Sequence, residues 1–357
     1  MYSKIVFVLL FIPLWTWGAV PAAVDGMTSE ELYGLGLEYL TGNDSLGIYM
    51  NKEKGVELIR QAAEQGNIDA QCQLGLCYEQ SQGVAQDYSQ AVYWYRKAAE
   101  QGDIWGQCKI GLCYEKGQGV DRDYSQAVYW FRKAAGQGDA GSQCKLASFY
   151  EQGQGVAQDY SQAVYWSRKA AEQGYAGGQC FLAMYYEKGK GVQQDYEQAV
   201  YWYRKAAEQG SIWGQGKLGL CYEEGKGVRQ DYEQAVYWYR KAAEQGDALS
   251  QFNLGGCYHK GQGVSQDYGQ AVYWYRKAAE QGDALAQFNL GVCFLNGQGV
   301  SQDYGQAVYW WRKAAEQGDA DAQYNLGVCY AKGLGVVQDS EQAEYWKNLA
   351  IRNGYEP

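Results

Sequence analysis

A segment of 36 residues is repeated eight times without interruption between Asn67 and Gly354. The copy from Asp283 to Gly318 reads DALAQFNLGVCFLNGQGVSQDYGQAVYWWRKAAEQG. A fixed period in this range is typical of solenoids, in which each unit buries its apolar face against its neighbours. The repeat therefore predicts one elongated domain, although 357 residues would otherwise suggest two or three globular domains.

The first half of each copy has the apolar spacing of an α-helix. In the copy at 283–318, Ala286, Leu290 and Phe294 recur four residues apart. Gly297 follows where a left-handed C-cap is expected, and a GQGV turn comes next. We call this predicted helix, and its equivalent in every copy, helix A.

The second half predicts another amphipathic helix, helix B. Asp303 and Gln306 resemble a capping box, in which the carboxylate accepts a free backbone N–H and the amide reaches back. Val308 and Trp311 lie on its apolar stripe, and Gly318 ends it. The sequence thus predicts an all-α fold: an α/α solenoid (superhelix) of tandem 36-residue helix–turn–helix repeats.

One position of helix A is always glycine or alanine. Glycine inside a helix costs about 1 kcal/mol relative to alanine, so its recurrence indicates close helix packing. The residues are Gly75, Gly111, Ala147, Ala183, Gly219, Gly255, Gly291 and Gly327.

The N-terminal residues differ from the repeats. Lys4 precedes an apolar run at Ile5–Trp15, and small residues at Val20–Ala22 suit cleavage before Ala23. Residues 1–22 therefore read as a secretory signal peptide, which predicts a secreted or periplasmic protein. The alternative is an uncleaved anchor, although the apolar run is short for a bilayer span. No other segment is long and apolar enough to cross a membrane.

The remaining sequence divides at the repeat boundaries. Residues 23–66 form a divergent N-terminal repeat, and residues 67–354 form the eight full copies. The last helix B is more polar than the others, as the end of a solenoid requires. The copies are 67–102, 103–138, 139–174, 175–210, 211–246, 247–282, 283–318 and 319–354.

The consensus A-x-x-Q-x-x-L-G-x-x-Y-x-x-G-x-G-V-x-x-D-Y-x-x-A-x-x-W-Y-R-K-A-A-E-Q-G resembles the Sel-one-like repeat family, a relative of the tetratricopeptide repeats. Asp267–Tyr268, Ala271 and Trp274–Ala279 carry the match directly. The resemblance implies a non-enzymatic adaptor scaffold that binds other proteins. Secreted bacterial members of the family are similar to factors that act at the cell envelope or in host contact.

Ten cysteines raise the question of disulfides or a metal site. All ten lie at two helix-A positions that are five residues apart. Equivalent positions of neighbouring copies are expected to lie too far apart for a disulfide. A cysteine-rich subclass of the family joins cysteines across the inter-repeat turn, but Ala99 and Gln107 stand at those positions here. We therefore expect small buried thiols at Cys77, Cys113, Cys221, Cys257, Cys293 and Cys329.

Charge and motifs limit the other function classes. The net charge of −10 and the lack of Lys/Arg blocks argue against nucleic-acid binding. A single histidine, His259, and no CxxC spacing argue against a metal site. No nucleophile elbow, HExxH or Walker loop occurs, so we expect neither an enzyme nor a cofactor.

A variable stripe of helix A is the candidate partner-binding groove. It comprises the positions equivalent to 285, 289, 292 and 296, and in related solenoids helix A lines the concave face. Tryptophans would anchor a protein partner, lysines would pair with its carboxylates, and asparagines would bind its backbone. The alternative is a merely solvated stripe. The predicted residues are Trp105, Lys109, Lys145, Trp213, Lys217, Asn253, Asn289 and Asn325.

Helix B carries a second candidate surface, which would bind a glycan or cell-wall polymer by stacking tyrosine rings on sugars. The alternative is that each ring packs on its surroundings and leaves only the hydroxyl in water. This tyrosine series consists of Tyr93, Tyr129, Tyr165, Tyr201, Tyr237, Tyr273, Tyr309 and Tyr345.

Overall fold

The computed structural model describes Val24, residues 26–43 and residues 47–356. Within these ranges there are 18 α-helices of 13 residues each and no strand; Asn43 and Ile48 form an isolated antiparallel bridge. This confirms the all-α class and the tandem helical hairpins. The predicted signal peptide at 1–22 lies outside the described residues.

The chain divides into two compact units, residues 1–142 with 153–157, and residues 143–152 with 158–357. Odd-numbered helices are helix A of their repeat and even-numbered helices are helix B. The first unit contains α1 (Ser29–Thr41), α2 (Lys52–Glu64), α3 (Ile68–Gln80), α4 (Tyr88–Glu100), α5 (Ile104–Lys116) and α6 (Tyr124–Gly136).

The second unit begins within α7 (Ala140–Gln152) and continues to the last described helix. Its other helices are α8 (Tyr160–Glu172), α9 (Ala176–Lys188), α10 (Tyr196–Glu208), α11 (Ile212–Glu224), α12 (Tyr232–Glu244), α13 (Ala248–Lys260), α14 (Tyr268–Glu280), α15 (Ala284–Asn296), α16 (Tyr304–Glu316), α17 (Ala320–Lys332) and α18 (Ser340–Arg352).

The helix ends follow the predicted caps with one correction. Gly297 closes α15 at φ +68°, and Asp303 Oδ1 accepts from the Gln306 backbone N–H at 2.9 Å. The second hydrogen bond of the predicted capping box, from the Asp303 backbone N–H to the Gln306 side chain, is wrong. The Asp303 N–H donates to the Phe294 carbonyl at 3.0 Å instead, so Gln306 has no open donor to reach.

In most copies that have it, the recurring glycine of helix A stands against a large ring of helix B. A Cβ at Gly219 would lie 2.7 Å from the Tyr239 ring, and one at Gly291 would lie 2.5 Å from Trp311 Nε1. These distances are shorter than van der Waals contact. The predicted close packing is confirmed, and it explains why a residue that weakens helices is kept in the middle of helix A.

A buried glutamine in helix A of each of the eight full copies links neighbouring helices. Gln287 is 3% exposed, donates from Nε2 to the Ala279 carbonyl at 3.0 Å, and accepts from Gln317 Nε2 at 2.8 Å. It therefore caps the preceding helix B and binds the end of its own helix B. In both compact units the same glutamine-to-glutamine bond recurs, as in Gln101 to Gln71 and Gln245 to Gln215.

The cysteines behave as small apolar side chains. The six at the position of Cys293 are buried, as predicted. Burial raises the pKa of Cys293 to about 11, which keeps the thiol protonated at neutral pH. No disulfide joins cysteines in the described residues. In the same ranges, no helix has both the length and the apolar character that a membrane span requires.

Candidate binding surfaces on helix A and helix B

The structure places the predicted groove residues in both compact units. Trp105 and Lys109 lie on α5 of the first unit. In the second unit, α7 carries Lys145, α11 carries Trp213 and Lys217, and α13, α15 and α17 each carry one asparagine. All occupy two equivalent positions of helix A.

In the first unit, Trp105 is 39% exposed and packs edge-on against Tyr95 at 5.6 Å between ring centroids. Lys109 Nζ lies 5.1 Å from the Trp105 ring centroid and 2.9 Å from Glu79 Oε2. Tyr95 donates its hydroxyl to the same carboxylate at 2.5 Å. The result is a half-exposed indole beside a satisfied ion pair.

The partners of Glu79 keep this carboxyl ionised. Burial alone would raise its pKa, but the hydrogen bonds from Tyr95 and Lys109 outweigh burial and lower the pKa below its ordinary value. The same hydrogen bond, together with burial, raises the pKa of the Tyr95 hydroxyl. The Glu79 carboxylate therefore stays ionised at neutral pH, while the Tyr95 hydroxyl stays protonated and donates to it.

The second unit repeats this arrangement around Trp213. This indole is 40% exposed and lies edge-on to Phe181 at 5.8 Å and to Tyr203 at 6.5 Å between ring centroids. Lys217 Nζ is 3.4 Å from Glu187 Oε2, and Tyr203 donates to the same oxygen at 2.6 Å. Tryptophan, lysine, tyrosine and glutamate thus recur as one local motif.

Two of the predicted groove lysines already form ion pairs within the chain. Lys109 and Lys217 pair with Glu79 and Glu187 of the preceding helix A, so each already has its carboxylate inside the chain. The physical reason is that a long side chain of one helix A spans the distance to the carboxylate of its neighbour. Lys145 is half-buried at the equivalent position.

Leucines extend the exposed apolar surface beyond the predicted residues. Leu249 is 58% exposed and Leu285 is 51% exposed, and both occupy the helix-A position of Trp213 in the next two repeats. We call Trp213, Leu249 and Leu285 the apolar row. The row follows Gly177 and ends at the exposed Asp321. Both leucines lie at a position of the predicted stripe, although neither is among its named partner-binding residues.

The three asparagines form an amide row on α13, α15 and α17, one turn further along each helix than the position of the apolar row. Asn289 Nδ2 donates to the Leu285 carbonyl at 2.8 Å, which leaves its second N–H and its oxygen for other partners. The half-buried side-chain amides of Asn253 and Asn325 have no hydrogen bond within residues 24, 26–43 and 47–356. Each can donate and accept at once.

Of the other two positions of the predicted stripe, that of Asn296 is exposed in every full copy, whereas that of Val292 is half-buried or buried. Met184, equivalent to position 292, is 8% exposed, while Val292 and Leu220 pack against apolar clusters. Neighbouring helices enclose helix A on two sides, which narrows its open face. The exposed apolar side chains and the asparagine amides lie at the positions of Trp213 and Lys217, so the candidate surface centres there.

The tyrosine series is half-exposed throughout, at 46–56%. Each ring stands edge-on to the following tryptophan, as Tyr201 does to Trp202 at 5.0 Å between ring centroids. A lysine four residues later lies above the ring in most repeats, with Lys313 Nζ at 5.0 Å from the Tyr309 centroid. One face of each ring is thus already occupied by neighbours on its own helix.

The described part of the chain shows no cluster of three or more His, Cys, Asp or Glu residues that could hold a metal ion. His259 lies 5.1 Å from the Tyr268 ring between centroids, and Gln266 donates to its backbone carbonyl.

Comparison with known proteins identifies the repeat. The Sel1 repeat model matches residues 32–67, 68–103, 106–139, 140–175, 176–211, 214–247, 248–283, 284–319 and 320–355. No curated protein matches the chain in sequence.

Two solved structures are similar over most of their length. A Sel1 repeat protein from Oxalobacter formigenes is 32% identical, with a TM-score of 0.65, over 95% of this chain and 94% of that one. A protective antigen of uropathogenic Escherichia coli with an SLR fold is 36% identical, with a TM-score of 0.58, over 91% of this chain and 86% of that one. On its nine repeats and these relatives, the chain belongs to the Sel1 repeat family.

Proposed function

We propose that this protein is a non-enzymatic interaction scaffold whose protein partner binds the open face of helix A. The observation that carries the proposal is the apolar row, three large apolar side chains exposed at one position of consecutive repeats. Isolated exposed leucines are common on protein surfaces, whereas an aligned series with a tryptophan is typical of interaction sites. Trp105 supplies a comparable anchor in the first unit.

The surroundings of the row suit a binding site. Trp213 is held by Phe181 and Tyr203, so it loses little conformational freedom when a partner covers it. Tryptophan is enriched among the residues that contribute most to binding. Lys217 is already paired with Glu187 inside the chain, so the Trp213 indole is the group that contacts the partner.

Capture of partners from the envelope fraction of the producing cells tests this proposal. The test variant is Trp213→Ala with Leu249→Ser and Leu285→Ser, all on exposed positions. Its control replaces Tyr201, Tyr237 and Tyr273 on the helices B of the same compact unit with alanine. We expect the first variant to lose the captured protein and the control to retain it. Equal capture by both variants would exclude the apolar row.

Export to the envelope or the cell exterior is a second part of the proposal. It is supported by the sequence of residues 1–22 and by the Escherichia coli relative, which is a protective antigen. Fractionation with N-terminal sequencing checks it. We expect mature protein that begins at Ala23 outside the cytoplasm; full-length protein confined to the cytoplasm would contradict export.

The tyrosine series supports glycan binding as an alternative function. Its rings are exposed on helix B, and the adjacent lysines would suit carboxylates of a cell-wall polymer. Sedimentation with isolated peptidoglycan separates the two functions. If the protein binds glycan, the tyrosine control variant should fail to sediment with peptidoglycan, and the apolar-row variant should sediment with it normally. The capture of a protein partner predicts the opposite pattern for the two variants.

A further inference from the structure

The apolar row continues into an acidic position. Trp213, Leu249 and Leu285 are followed at the same helix-A position, one repeat later, by Asp321. Asp321 is exposed and forms no ion pair within the described residues, and the helix cap Asp319 lies two residues before it. A partner that follows the row therefore meets three apolar subsites and then a negative one.

The spacing of these subsites constrains the partner's backbone. Rings of neighbouring A helices touch, as Phe181 of α9 and Trp213 of α11 do, so the helices are packed side by side. Packed helices lie about 8–10 Å apart. A ligand running across them must present one contact residue about every 10 Å.

A polyproline II helix meets this requirement. It rises about 3.1 Å per residue with three residues per turn, so every third side chain points the same way at about 9 Å intervals. A β-strand covers the same distance in three residues, but side chains three residues apart point to opposite faces of the strand. An α-helix needs about seven residues per interval and also keeps one face.

Unused hydrogen-bonding groups beside the row distinguish polyproline II from an α-helix. The side-chain amides of Asn253 and Asn325 and the indole N–H of Trp213 bond to nothing within the part of the chain that the structure describes. An α-helix has already paired its backbone groups, whereas polyproline II leaves its carbonyls and amides open. Grooves lined by aromatic rings recognise polyproline II segments in other folds.

We propose that the apolar row and the amide row bind a polyproline II segment with an apolar residue at every third position and a lysine or arginine at the fourth such position. The apolar side chains occupy the subsites of Trp213, Leu249 and Leu285, and the basic group faces Asp321. The amides of Asn253, Asn289 and Asn325 bond the ligand backbone. This inference rests on the proposed function of the same surface.

Fluorescence anisotropy with labelled peptides tests it on the full chain. The probes are Leu-Pro-Pro-Leu-Pro-Pro-Leu-Pro-Pro-Lys and its reversed sequence, because polyproline II ligands can enter a groove in either direction. The matched probes carry Glu in place of Lys. For the better orientation, we expect the Lys peptide to bind about fivefold more tightly than the Glu peptide, with saturable binding lost in the apolar-row variant.

A charge reversal at the acidic subsite provides the internal control. Asp321 is exposed, so Asp321→Lys should fold normally, and we expect it to prefer the Glu peptide. If Asp321→Lys still prefers the Lys peptide, the basic residue of the peptide does not face position 321, and the proposed alignment of peptide and subsites is wrong. Tighter binding of a helical peptide with leucine at every seventh position than of either proline peptide would overturn the polyproline II geometry.

The result can be separated from the proposed function. If no proline peptide binds, but the apolar-row variant still loses its captured protein partner, the polyproline inference is wrong and the scaffold proposal stands. If the apolar-row variant captures the partner as the unmodified protein does, the scaffold proposal is wrong whatever the peptides show.

Discussion

Tyr185 donates its hydroxyl to Glu151 across 3.1 Å, and it does so from a different helix than the tyrosines of neighbouring repeats. In the next repeat the glutamate is reached by a helix-B tyrosine, as Tyr203 reaches Glu187 at 2.6 Å. The helix-B position in the repeat of Glu151 holds Ser167, which is fully buried with an unpartnered hydroxyl in the described structure. Tyr185, at a position usually occupied by cysteine, supplies the missing ring and hydroxyl.

This exchange predicts a rescue between two positions. Tyr185→Cys should lower the free energy of unfolding by about 3 kcal/mol, because a fully buried ring and its hydrogen bond are lost. Adding Ser167→Tyr restores the arrangement of Tyr203 and should recover most of that loss. Denaturant unfolding of both single variants and the double variant measures the coupling. Additive losses would contradict the shared site.

Removing a buried glutamine should be costly. Gln287→Ala leaves the Ala279 carbonyl and the Gln317 amide without their partner, which predicts a loss of about 2 kcal/mol in unfolding free energy. Gln306→Ala is the matched control, since its exposed side chain forms no hydrogen bond in the described residues. We expect the control to stay within about 0.5 kcal/mol of the unmodified protein in denaturant unfolding.

Two glycine-to-alanine substitutions should have opposite signs. Gly219→Ala puts a methyl group 2.7 Å from the Tyr239 ring and should destabilise by about 1–3 kcal/mol. Gly34 lies in α1 with no atom within 4 Å of an added Cβ, so Gly34→Ala should stabilise by up to about 1 kcal/mol. Thermal unfolding should shift in opposite directions; a shared direction would refute the packing explanation.

The lowered pKa of Glu79 predicts a pH-dependent stability. A carboxyl whose folded pKa is lowered contributes stability above its unfolded pKa of about 4.3, and loses it as pH falls through the folded value. Glu79→Gln should therefore cost about 1 kcal/mol at pH 7 and progressively less below pH 4. Urea unfolding at several pH values measures this difference.

The control for this pair is an ion pair on the surface. Lys226 lies 2.6 Å from Glu224, and both side chains are well exposed, so solvent screens the interaction. Glu224→Gln should leave the unfolding midpoint unchanged at every pH. A pH-independent loss in Glu79→Gln would show that packing, rather than charge, accounts for its effect.

The fold was predictable because the residues that mark helix ends and close contacts lie near one another in sequence and recur in each copy. Gly297 and Asp303 mark helix ends within a few residues of sequence, and Gly291 marks the close contact with helix B. The ion pair of Lys109 with Glu79 was not predicted, because it joins residues 30 positions apart on neighbouring helices A. The exchange between Ser167 and Tyr185 also depends on two adjacent repeats.

The candidate site was predictable only in outline. Trp105, Trp213, Leu249 and Leu285 all lie at one position of the predicted stripe and are exposed, but only the tryptophans are named there as partner-binding residues. Met184 was assigned to the solvent stripe although neighbouring helices bury it. Exposure at one helical position depends on how adjacent helices pack, which a single helical wheel omits.

Amide hydrogen exchange with the captured partner bound tests the central claim most directly. The account predicts slower exchange on binding in the parts of helix A that carry the apolar and amide rows, at 212–217, 248–253, 284–289 and 320–325. Exchange in helix B around Tyr201, Tyr237 and Tyr273 should stay unchanged. Protection confined to the tyrosine series, with none in the helix-A segments, would contradict the account.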